Sequence, residues 1–99
     1  MSPEDSQLRL LDVFRRLAIR CLELDLPGYA ENFCNLLVAV RSGRWQQLSG
    51  SEREMWLSKV ADLLHPKALG DSIPDFREPV YVEAVALIDA LRKAARRAT

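Results

Sequence analysis

Residues 8–24 read LRLLDVFRRLAIRCLEL, and the spacing of their apolar side chains decides the fold. Leu10, Phe14, Leu17, Cys21 and Leu24 recur at alternating steps of four and three residues. That period places them on one face of an α-helix. Leu11, Ala18 and Leu22 widen the face, and Leu8 and Ile19 lie further round. At 100° per residue the apolar arc takes in roughly two-thirds of the circumference, against the ~100° stripe of an ordinary surface helix. Asp12, Arg16, Arg20 and Glu23 share the remainder. Such a helix calls for cover on more than one side.

Upstream, Ser2 can cap, Pro3 fits the first helical position, and Glu4 and Asp5 suit the positive end of the helix dipole. The first helix is therefore expected over about 3–24. Leu26-Pro27-Gly28 breaks it, and a second is expected over 28–41. Tyr29, Phe33, Leu36 and Val40 run along its centre, with Ala30, Cys34 and Leu37 beside them, until Ser42-Gly43 stops it. Ser51 followed by Glu54 reads as a capping box for a third helix over 52–65, with Trp56, Val60, Leu63 and Leu64 inward. Pro79 opens a last helix over 79–97. There Val80, Ala84, Leu87, Leu91 and Ala94 repeat at helical spacing, flanked by Tyr81, Val85, Ile88 and Ala95.

No stretch sustains the period-two alternation of a strand. The expected fold is all-α, a compact antiparallel four-helix bundle forming one helical domain over 1–99. Its first and last helices, at ~32 and ~27 Å, overhang a middle pair of ~20 Å. The thirteen residues 66–78 make an unusually long connection, since bundle connections take about 2–8 residues.

Fourteen Lys+Arg balance fourteen Asp+Glu, with 48% hydrophobic residues, which excludes a disordered charged tail. Two cysteines make no disulfide framework. Residues 1–7 lack the basic start of a secretory leader, and the apolar run Leu36 to Val40 is far short of a membrane span. A cytoplasmic protein is expected, without membrane association. Eleven of the fourteen basic residues are arginine and sixteen residues are leucine, a bias that points to a GC-rich bacterial source.

Enzymatic chemistry finds little support. His65 is the only histidine, which excludes His-pair metal sites and two-histidine acid–base schemes. Cys21, Cys34 and His65 lack zinc-ligand spacing, and both thiols fall on apolar faces, where they are expected as inert core groups. The four glycines never cluster into a phosphate-cradling loop. No catalytic residue, metal or cofactor is expected. His65 reads as a helix terminator that meets the dipole's negative end.

What remains is recognition. The expected function is a small cytosolic protein–protein interaction module, acting as a regulator, inhibitor or assembly subunit by occupying a partner protein's surface. A chain this short buries only about 65% of its unfolded surface, so a homodimer or an obligate complex is expected. Trp45, beside Arg44, reads either as a cap on the end of the core or as an interface anchor, since aromatic–arginine pairs match the residue types of interface hot spots. Phe76 with Arg77 in the long connection offers the same pairing, unless Ile73 and Phe76 pin that loop to the bundle. The alternative is a nucleic-acid-associated regulator using Arg92, Lys93, Arg96 and Arg97 on the last helix. Cations at a helix C-terminus are also what the dipole alone favours.

Overall fold

The computed structural model describes residues 2–65 and 78–97. They are all-α, with α1 at Pro3–Glu23, α2 at Pro27–Arg41, a single turn α3 at Arg44–Gln47, α4 at Gly50–Leu64 and α5 at Pro79–Arg97. No described helix is long and apolar enough to cross a membrane. The helices group into two compact units, Met1–Gln47 and Leu48–Thr99.

The first unit is a helical hairpin closed by α3. Ser2 caps α1, its hydroxyl accepting the Asp5 N–H at 3.1 Å. At the other end the chain turns through Asp25, whose φ of 58° lies in the left-handed region. The Leu26 N–H bonds the Cys21 carbonyl at 2.7 Å and the Asp25 N–H bonds that of Leu22 at 3.1 Å. This is a Schellman motif with aspartate where glycine is commoner, a substitution that short polar side chains tolerate. Pro27 then starts α2 immediately, so the two helices must run antiparallel. Three contacts give the register: Leu26 on Cys21, Phe33 on Phe14, and the Gln7 side-chain amide on the Val40 carbonyl. Each step of seven residues along α2 matches a step of seven back along α1.

Phe14 and Phe33 stack with centroids 6.3 Å apart, and both are fully buried beside Leu10, Leu17 and Val40. The centre line expected for α1 is thus in place through Cys21, with Val13 added. Cys34 corrects the expectation of two core thiols: Cys21 is buried and Cys34 is exposed. The reason is angular, since Cys34 follows Phe33 by 100° and so leaves the face that Phe33 occupies.

The second unit pairs α4 with α5. The capping box lies at Ser49 and Glu52, two residues upstream of the expected Ser51 and Glu54. Ser49 Oγ accepts the Glu52 N–H at 3.2 Å, and Glu52 returns a carboxylate oxygen to the Ser49 N–H at 3.0 Å. The earlier start adds helix and frees Glu54 for α5. The seam of α5 undergoes a partial rotation: Ala84 and Leu91 are buried as expected, while Tyr81, Ile88 and Ala95 are buried in place of Val80, Leu87 and Ala94. Tyr81 explains the rotation, because its hydroxyl donates to the Leu64 carbonyl at 2.6 Å and satisfies an orphan group at the end of α4. Trp56, expected in the core, is only half-buried, and Leu57, Val60 and Leu64 take the inward positions. Tyr81 on Leu64 and Arg92 on Glu54 show that this pair is antiparallel too.

Ser49→Ala is expected to cost about 1 kcal/mol, the usual worth of an N-cap hydroxyl. The cap also titrates. Hydrogen bonds from Ser49, its backbone N–H first and its side chain second, hold the Glu52 carboxyl below the usual value of 4.5. A carboxylate with a lowered folded pKa stabilises above its unfolded pKa and loses that contribution as pH falls through the folded value. The wild type should therefore exceed Glu52→Gln in melting temperature above pH 4.5, and the gap should close as the solution is acidified below it. A gap that widened in acid would contradict the hydrogen-bond assignment.

Candidate functional site

The sequence nominated three kinds of residue, and the structure treats them differently. Trp45 is drawn into the first unit. It is 3% exposed, and its indole N–H donates to Ser6 Oγ at 2.9 Å. Beside it the Gln46 side-chain amide bonds that of Gln7, whose own amide nitrogen reaches the Val40 carbonyl at 3.1 Å. Ser6 and Gln7 on α1, the end of α2 and the α3 turn thus form one polar junction. Ser6 is buried, and its hydroxyl supplies the acceptor that a buried indole requires. Nothing in the hydropathy pattern singles out Ser6 and Gln7, because their partners lie more than thirty residues away. Phe76 and Arg77 lie outside the described residues.

The four basic residues of α5 divide. Glu54 Oε1 accepts Arg96 Nε at 3.1 Å, and the same oxygen lies 3.1 Å from Arg96 Nη2 and 3.5 Å from Arg92 Nη2. Lys93 pairs with Asp89 one turn back, at 3.1 Å. Arg97 is exposed. Three of the four cations therefore stand beside carboxylates of the same unit, which lowers the potential a phosphate backbone would meet. These pairs are partly exposed and each adds little to stability.

Alongside α5 lies a groove of about 630 Å³. Among the described residues its walls come from Ala61, Leu64, Tyr81, Val82 and Val85, with His65 and Arg92 also lining it. His65 follows Leu64, the carbonyl that Tyr81 binds, whereas Arg92 stands eleven residues beyond Tyr81, about 16 Å along the helix. Groups that far apart cannot hydrogen-bond the same reacting atom. Arg92 Nε is buried and has no hydrogen-bond partner among the described residues. Among the described residues no group of three or more His, Cys, Asp or Glu is placed to hold a metal ion.

A second apolar feature lies on α1. Leu8, Ile19 and Leu22 are 66%, 51% and 62% exposed. With half-buried Leu11 and exposed Arg15 they fall within about 80° of arc at 100° per residue, away from the face that carries Phe14 and Leu17. The over-wide apolar arc of the sequence is thus resolved into two stripes, one buried and one in solvent. Exposed apolar residues aligned on one face differ from a scatter of single exposed leucines, which would call for no explanation. No family model, curated protein or solved structure matches the chain.

Proposed function

We propose that the chain is a small cytoplasmic protein-interaction module, a regulator, inhibitor or assembly subunit that works by covering another protein's surface. One observation carries the reading: Leu8, Ile19 and Leu22 share an exposed face of α1 away from the face that packs on α2. An obligate complex or a homodimer would bury it. The antiparallel four-helix bundle expected from the sequence belongs to the same proposal, as the form in which the two hairpins present that face.

Pairing with Glu54 and Asp89 argues against the rival use of α5 for nucleic acid. The test replaces Arg92, Lys93, Arg96 and Arg97 together by glutamine. Protein association is expected to survive the change. Filter binding of DNA and RNA at two salt concentrations should show weak binding by the wild type and no large difference in the variant. Tight wild-type binding that falls steeply with salt and vanishes in the variant would move the function to phosphate recognition, because each neutralised phosphate adds about 0.9 to the salt slope on duplex DNA.

A further inference from the structure

We propose that the exposed stripe of α1 docks a second copy of this chain, with the two α1 helices antiparallel and crossing at Arg15. The inference rests on the protein-interaction reading and names its partner. Positions 8, 11, 15, 19 and 22 step by three, four, four and three residues, so the stripe reads the same in both directions from Arg15. An antiparallel two-fold pairing makes use of this property, because apolar positions then meet apolar positions when each copy offers the same patch to the other. Antiparallel pairing about Arg15 puts Leu8 against Leu22 of the second copy and Leu11 against its Ile19. All four aliphatic side chains of each stripe then meet an aliphatic neighbour.

Charge selects the direction. Asp12 lies one turn from Arg15 and on the edge of the stripe, with carboxylate and guanidinium 3.5 Å apart. Asp12 is also held by Arg16 at 2.8 Å, leaving the Arg15 charge only partly balanced within the chain. In the antiparallel pair Arg15 lies between its own Asp12 and Asp12 of the second copy, about 4.5 Å to either side along the axis. The two central guanidinia are then flanked by two carboxylates. Both directions bring Arg15 beside Arg15, but a parallel pair would also set Asp12 level with Asp12, whereas the antiparallel pair keeps the two carboxylates about 9 Å apart along the axis and so avoids that repulsion. One helix-on-helix seam of this length sits near the low end of specific interfaces, roughly 1,000 Å² in total. The dimer should accordingly be weak and dependent on concentration.

Light scattering over two decades of concentration should show the mass rising from 11.2 kDa toward twice that value. Leu8→Glu with Leu22→Glu should hold the protein at the monomer mass throughout while its melting temperature, read in dilute solution, stays near that of the wild type. Direction is read by oxidation in a Cys34→Ser background, mixing a Leu8→Cys protein with a Leu22→Cys protein. The mixed 8–22 disulfide is expected to form in preference to 8–8 or 22–22. A monomer at every concentration overturns the dimer while leaving the protein-interaction reading intact, since a different protein can occupy the stripe. A dimer indifferent to the two glutamates overturns the proposed face, and preferential 8–8 linkage overturns the direction. The salt-dependent binding test on α5 is independent of all three, so failure of the broader reading is seen separately.

Discussion

Phe33→Ala is expected to remove about 3–5 kcal/mol of stability, the usual cost of emptying a phenylalanine site in a packed core. The ring is fully buried, and its loss would also end the stacking with Phe14 at 6.3 Å. Aromatic pairs contribute about 0.5–1.5 kcal/mol beyond the area they bury. Small domains hold about 5–15 kcal/mol in all, and 99 residues place this chain toward the lower end. The substitution should therefore take the protein to the edge of folding at room temperature. Val38 supplies the control on the same helix. It is exposed, so Val38→Ala should stay within about 0.5 kcal/mol of the wild type. Urea titrations followed by far-ultraviolet circular dichroism read both. Equal losses at the two positions would mean that Phe33 is not in the core.

The contrast between Phe33 and Val38 also shows how far the sequence could be read. Long amphipathic segments announce themselves because burial repeats every three to four residues and dominates the energetics. Hence α1, α2 and α5 are visible in the sequence, and so is the excess of apolar surface on α1. Details decided by single hydrogen bonds are not visible in the same way. Ser49-Gly50-Ser51-Glu52-Arg53-Glu54 offers two overlapping capping boxes, of which the chain forms the first, while Glu54 meets Arg92 and Arg96. On α5, Tyr81, Ile88 and Ala95 are buried in place of Val80, Leu87 and Ala94, and the Tyr81 hydroxyl bonds the Leu64 carbonyl, a partner seventeen positions away. Residue periodicity counts apolar positions and gives no weight to such a bond. The stripe symmetric about Arg15 was present in the sequence as an over-wide arc. Its division into buried and exposed faces required knowing which side α2 covers.

Of the two roles the sequence allows Trp45, cap on the core or interface anchor, its burial favours the first, and its truncation is the second large effect. An aromatic beside Arg44 in a short connection has the composition of an interface anchor, yet the indole is buried and bonded to Ser6. Trp45→Ala should cost about 3–5 kcal/mol, as expected for a core tryptophan. Trp45→Phe keeps most of the ring but removes the donor, and breaking a buried hydrogen bond on one side costs about 1–3 kcal/mol. Ser6→Ala removes the acceptor and leaves the indole N–H unmatched, with a loss of the same order. Adding Ser6→Ala to Trp45→Phe removes the second half of a bond already broken, so the double variant should lose less than the two single losses combined. Strict additivity would mean the bond contributes nothing. Self-association through the α1 stripe separates the anchor role from the core role. Trp45→Phe should leave the dimer mass unchanged at concentrations and temperatures where the variant is fully folded. A dimer weakened tenfold or more in fully folded Trp45→Phe would return this tryptophan to the interface, because a core residue acts on association only through the folded fraction.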